Sequence, residues 1–218
     1  MHVANLRALY GCLFAQLKVG VLDTGLEADR GDFGLMFAIE ACEGTRVSLE
    51  AFVARSFDPQ SVDVTVFSQV VDVVGTEHTT LGWKGNLTSG HSWRIAGRGR
   101  LASTMTRLPL SRPIEIAPGT AVAFYLHTHE ESGLAFSSFA RAESSRNAHL
   151  RVLVGTRTEA EAPFEGNRLY KASFAGQIEY KVEAAASAAS ADTGKGGVPA
   201  APKVDSTQDL LSSLANFL

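Results

Sequence analysis

His127 and His129 are the residues whose spacing best suits the start of a metal site. On an extended strand, positions two apart project from the same face, so both imidazoles would lie opposite Val122, Phe124 and Leu126. Zinc or copper needs further ligands, and Glu130, Glu131 or His149 would have to supply them, but no spacing fixes any of the three. The expectation is therefore no resident metal and no cofactor. A metal-dependent, cupin-like enzyme is the reading that a fixed third ligand would open.

Aromatic rings stack on the apolar faces of sugars, and Trp83, Trp93 and Tyr125 could line such a platform. Trp83 stands between Gly82 and Gly85 in a loop-like stretch, whereas Trp93 reads as core. With Trp83 and Tyr125, Arg98 and Arg100 complete a candidate ligand-binding set. Arg94, Arg98, Arg100, Arg107 and Arg112 crowd one span and could meet an anionic surface or an acidic partner. Four occupy even positions and would share a face in an extended segment, a pattern that a solvated strand face explains equally well.

Other motifs are sparser. Cys12 and Cys42 lack CxxC spacing and read as small buried hydrophobes, although an oxidising compartment would permit one bridge between them. Asn86-Leu-Thr88 is a glycosylation sequon in a loop-like region, relevant only in a secretory pathway. Gly194-Lys-Gly-Gly197 lacks the strand–loop–helix setting of a phosphate loop. GxSxG, HExxH and dinucleotide fingerprints do not occur, so no motif proposes catalysis, and a non-enzyme is expected.

These residues need a scaffold, and the pattern around them is one of short strands. Arg112–Thr128 reads as strand, Pro118-Gly119 turn and strand, with Val122, Phe124 and Leu126 on the buried face and Ala123, Tyr125 and His127 on a freer one. Leu35–Cys42 runs to a turn at Glu43-Gly44. Arg46–Val53 alternates with Val47, Leu49 and Val53 on one face, and Val62, Val64 and Val66 alternate after Asp58-Pro59. Residues 70–90 read as a connection, Ser92–Ala96 as a strand, and Gly97-Arg-Gly-Arg100 as a hairpin. Leu134–Ser137 is short and edge-like, Ser144–Ala148 a turn, and Leu150, Val152 and Val154 alternate before an irregular excursion over 156–171. The closing strand turns Phe174, Ile178, Tyr180 and Val182 inward, with Gln177, Glu179 and Lys181 toward water. About nine strands separated by turn signals predict an all-β, antiparallel two-sheet sandwich, jelly-roll-like.

The chain has 218 residues, 45% of them apolar, and a formal net charge of -3. That suits one domain with appendages and gives no basic footprint for nucleic acid. No run reaches the ~18 apolar residues that a membrane helix needs, and a soluble chain is expected. Ala8–Ala15 after Arg7 resembles a signal core only faintly, so residues 1–32 are expected to pack on the domain, and the compartment stays open. The sandwich is expected to occupy 1–183. Residues 184–205, rich in Ala, Ser, Gly and Pro, read as a flexible linker. Residues 206–218 then form an amphipathic helix, capped by Ser206 or Thr207, with Leu210, Leu211, Leu214, Phe217 and Leu218 along one side as partner-binding anchors.

Several segments, taken in order, carry a resemblance. Gly34–Ala41, Val62–Phe67, Ser92-Trp93, Leu108-Pro109, Ile114–Gly119 with Ala123–Leu126, Leu150–Gly155 and Phe174–Tyr180 resemble a β-sandwich module of secreted and multidomain proteins in algae, oomycetes and bacteria. They are more distantly similar to the PHR-type sandwich. The resemblance covers roughly residues 33–183 and implies a non-catalytic module for adhesion, recognition or assembly. The expected function is a structural or assembly subunit joined to a protein partner through its apolar tail. A module binding carbohydrate or glycoconjugates is the alternative, with a glycan as ligand.

Overall fold

A computed structural model of the chain describes residues 18–71, 92–138, 143–165 and 169–183. These residues form thirteen strands: β1 (Lys18–Asp23), β2 (Arg30–Asp32), β3 (Gly34–Ala41), β4 (Arg46–Ala54), β5 (Val62–Val71), β6 (Arg94–Leu101) and β7 (Thr106–Ile116), followed by β8 (Ala121–His127), β9 (Leu134–Phe136), β10 (Glu143–Arg146), β11 (Leu150–Thr158), β12 (Leu169–Ala172) and β13 (Gln177–Glu183). One sheet runs β1-β13-β4-β7. The other, seven-stranded, runs β10-β11-β3-β8-β5-β6, with β12 also paired to β11. All the pairings are antiparallel.

The eight strands β1, β3 to β8 and β13 form a nested set in which the outermost pair with each other: β1 with β13, β3 with β8, β4 with β7 and β5 with β6. This is one long hairpin rolled into two facing sheets, the jelly-roll form of the expected sandwich. The turns that permit it are those the sequence marks. Gly119 takes φ 68° as Thr120 N–H donates to Ala117 O at 3.0 Å, and Gly44 takes φ 73° as Thr45 N–H donates to Cys42 O at 3.1 Å.

The interior is built around four phenylalanines. Phe37 and Phe174 stack at 4.8 Å, and Phe52 meets Phe124 edge-on at 5.1 Å and Phe37 at 5.7 Å. Such rings gain about 0.5–1.5 kcal/mol per pair beyond the area they bury. Phe37 and Phe124 come from one sheet and Phe52 from the other, so the cluster locks the layers together.

Several strands differ from their sequence pattern, and in β4 a bulge accounts for the difference. In β4 the register shifts between Leu49 and Ala51. Phe52 and Ala54 therefore enter the core, and Val53 is left half-buried rather than facing inward. Gly97–Arg100 is mid-strand in β6, not a hairpin. Its glycines let β7 close in, since a Cβ at Gly97 would sit 2.8 Å from Pro109 O and one at Gly99 2.5 Å from Leu108 Cδ1. Leu134–Phe136 is short but fully buried, paired to β2. Glu143–Arg146 is a strand, and the turn follows it, where Asn147 Oδ1 accepts from the amides of His149 and Leu150 at 2.9 and 3.0 Å. β11 continues through Thr158, which shortens the excursion. Within residues 1–32, β1 is a strand of the sandwich itself and β2 pairs with β9.

Candidate functional site

β8 departs most from its pattern, because all seven of its residues are buried. Val122, Phe124 and Leu126 face the interior. Ala123 and Tyr125, on the other face, lie in a second apolar layer with Met36, Ala38, Trp93 and Leu153, against which Phe67 and Phe164 pack. Phe164 forms the roof, with ring contacts to Phe67 at 5.0 Å, Tyr125 at 5.2 Å and Trp93 at 5.7 Å. It holds φ 66°, a left-handed conformation that costs a non-glycine residue about 1–3 kcal/mol.

The two histidines fasten this roof. His127 Nε2–H donates to Ala160 O at 3.2 Å, and His129 Nδ1–H donates to Glu161 O at 3.0 Å. His127 is 3% exposed, whereas His129 is exposed. Burial lowers the pKa of His127, the Ala160 carbonyl acts the other way, and the neighbouring His129 lowers it further. The Tyr125 hydroxyl shares a 3.1 Å hydrogen bond with Thr158 Oγ1, and burial pushes the phenol far above its usual range. His149 lies elsewhere, its Nδ1 3.1 Å from Tyr180 Oη, so it does not join His127 and His129. Among the described residues no three His, Cys, Asp or Glu side chains converge on a metal-sized site.

The buried layer changes the sugar-platform expectation. Tyr125 at 0% exposure and Trp93 at 7% offer no ring face to solvent. Trp83, the third ring, lies outside the described residues, as do Asn86, Cys12 and the tail anchors Leu210, Leu211, Leu214, Phe217 and Leu218. Cys42 is half-buried, its Sγ 3.8 Å from Asn147 O.

The arginines do not share one face. Arg107 pairs with Glu179 at 2.7 Å on the outside of the four-stranded sheet. Arg98 and Arg100 are exposed on β6, opposite Thr65 and Asp63. The β5–β6 register shifts between Val66 and Phe67, leaving Ala96 as the extra residue and placing Arg94 opposite Ser68. Ser68 lies opposite Phe124, a core-facing residue, so the bulge re-aims Arg94 toward the gap between the sheets.

Arg112 reaches the same gap from the other sheet. Between the pairs Leu49–Ile114 and Ala51–Pro109, Glu50 alone on β4 faces a β7 stretch of Leu110, Ser111, Arg112 and Pro113. That stretch leaves its ladder, as expected where prolines supply no N–H, and at its start Leu110 Cα comes within 3.4 Å of where a Cβ at Gly97 would sit. The result is an open mouth of about 730 Å³, walled by the ends of β5, β6 and β8 and by the β7 bulge. Val70 lies on the core face of β5, opposite buried Val122, yet is 77% exposed. The mouth went unrecognised in the sequence. Its signals were Ser68 interrupting the alternation of Val62, Val64, Val66 and Val70, and the paired prolines Pro109 and Pro113.

At the other edge of the molecule, β13 lies between β1 and β4 and is paired along both sides. Ion pairs brace it: Arg107–Glu179 at 2.7 Å, Lys181–Glu50 at 3.0 Å and Arg46–Glu183 at 3.5 Å. β13 ends at Glu183, the last of the described residues.

Compared with known protein families and with curated proteins, the chain matches no family model and no curated protein.

Proposed function

We propose that the protein is a non-catalytic structural or assembly subunit, a rigid sandwich tethered to a larger complex through its C-terminal apolar peptide. The observation that carries this reading is the placement of β13. The strand preceding the tail is held on both edges and braced by ion pairs, so a pull on the tail is met by two ladders of hydrogen bonds rather than by a peeling edge. The tail's apolar side, Leu210, Leu211, Leu214, Phe217 and Leu218, suits insertion into a groove, gaining about 25 cal/mol per Å² of apolar area covered. The resemblance of the strand-and-turn order to sandwich modules used in adhesion and assembly supports the same reading. Deleting residues 205–218 tests it. Protein isolated from its source should run within a larger assembly, and the truncated chain should run free with an unchanged melting temperature. Undiminished association after the deletion would overturn the proposal.

A further inference from the structure

We propose that the mouth between β5, β6 and β7 binds an extended acidic segment of a partner protein, with its carboxylates on Arg94 and Arg112 and its backbone along the edge of β5 beside Val70. The inference goes beyond the tail-tether reading and is independent of it. Three observations converge on the mouth.

First, Val70 occupies a core-facing position that the opposite sheet leaves uncovered, at 77% exposure, so apolar surface is offered where this strand otherwise buries it. Second, Arg94 and Arg112 line the cavity with no ion pair among the described residues, and Glu115 is the one acidic residue in its lining. A guanidinium presents a planar fork that fits a carboxylate, so two of them with a single acid nearby select an anion. Third, β6 pairs with β5 only as far as Ser68, so beyond it the edge of β5 at Gln69 and Val70 is open among the described residues. An added strand supplies N–H groups to such an edge.

A small free anion would answer the arginines and leave the valine and the open edge of β5 unused. An extended acidic segment uses all three, its backbone on the edge, its carboxylates on the arginines and their aliphatic stems over the valine. The volume of about 730 Å³ lies in the range of ordinary ligand sites.

The test is fluorescence anisotropy of a labelled Glu-Val-Glu-Val-Glu-Val peptide against the full chain. Saturable micromolar binding is expected, weakening with salt. In R94A/R112A the affinity should fall about tenfold or more, the worth of a charged hydrogen bond. R98A/R100A, on the exposed part of β6, should bind like the parent. The charge-swapped R94E/R112E should accept Lys-Val-Lys-Val-Lys-Val in place of the acidic peptide. A photo-crosslinking peptide should mark residues 68–70 or 111–115 in the unaltered chain, a readout that needs no variant to fold. The proposal is overturned if R94A/R112A binds undiminished or if the Gln-Val counterpart binds as tightly. Equal competition by free glutamate would also overturn it by showing a small-anion site, as would crosslinks falling elsewhere. Chain lacking residues 205–218 should bind the peptide unchanged, which separates this result from any failure of the tail reading.

Discussion

Along β3 and β8 the two faces of the seven-stranded sheet are both buried, but by different means. The inner face is covered by another sheet, and phenylalanines from both layers interlock there. The outer face is covered by a loop, whose Phe164 sits on Tyr125, Trp93 and Phe67 while His127 and His129 hold the loop backbone. A sheet-on-sheet layer rests on continuous ladders, so its failure is global. A loop roof rests on one ring in a strained conformation and two side-chain hydrogen bonds, so its failure can be local. Perturbations of the two layers should therefore differ in size and in kind.

The inner layer gives the largest effect. Phe37 is fully buried, stacked on Phe174 and edge-on to Phe52. Phe37→Ala should cost about 3–5 kcal/mol, measured by urea unfolding. A loss below about 1 kcal/mol would mean that the interior collapses to refill the site and that the ring cluster is not what joins the sheets.

The roof should respond less, and in an unusual order. Phe164 is half-buried, so Phe164→Ala should cost about 1–2 kcal/mol and shift Trp93 fluorescence toward the red. Alanine keeps the penalty of φ 66°, whereas glycine adopts that conformation freely. Phe164→Gly should thus be no less stable than Phe164→Ala, the reverse of the usual ranking, and a clearly weaker glycine variant would refute strain at this position.

The same roof should make stability sensitive to acid. His127 is held neutral, with a pKa below the ordinary 6.5 because burial penalises its charge. As pH falls through 6.5, the unfolded chain takes up a proton that the folded chain refuses, so the unfolded state binds more protons. This contribution is therefore complete above 6.5 and is lost as pH falls toward the lowered folded value. His127→Gln keeps a donor for the Ala160 carbonyl and removes the titration. Stability curves of parent and variant should run parallel above 6.5 and diverge below it, the parent falling faster. Parallel curves throughout would place the acid sensitivity elsewhere.

Some of this was legible in the sequence. Alternation and turn chemistry predict the sandwich, and Pro118-Gly119 and Glu43-Gly44 turn where their residue types require. Alternation fails where a strand is buried on both faces. Ala123, Tyr125 and His127 look amphipathic beside Val122, Phe124 and Leu126, and only a distant loop carrying Phe164 reveals that they are covered. Periodicity also cannot register a bulge. One residue inserted at Ala96 moves Arg94 to the opposite face, and the shift after Leu49 exchanges Val53 for Phe52. The mouth depends on the first of these bulges and on the break of β7 from its ladder, so it emerges only once strands distant in sequence are paired.

The outer face of the four-stranded sheet sets the lower limit of the comparison, since among the described residues neither sheet nor loop covers its ion pairs. Lys181 meets Glu50 at 3.0 Å with side-chain exposures of 37% and 24%, and solvent screens such a pair. Lys181→Ala should change stability by less than about 1 kcal/mol, with the difference shrinking in high salt. A larger, salt-insensitive loss would show that Lys181 works through its aliphatic stem, packed along the strand, rather than through its charge. This face would then be held together by side-chain packing, like the two layers of the seven-stranded sheet, and the contrast between its covered and uncovered surfaces would narrow.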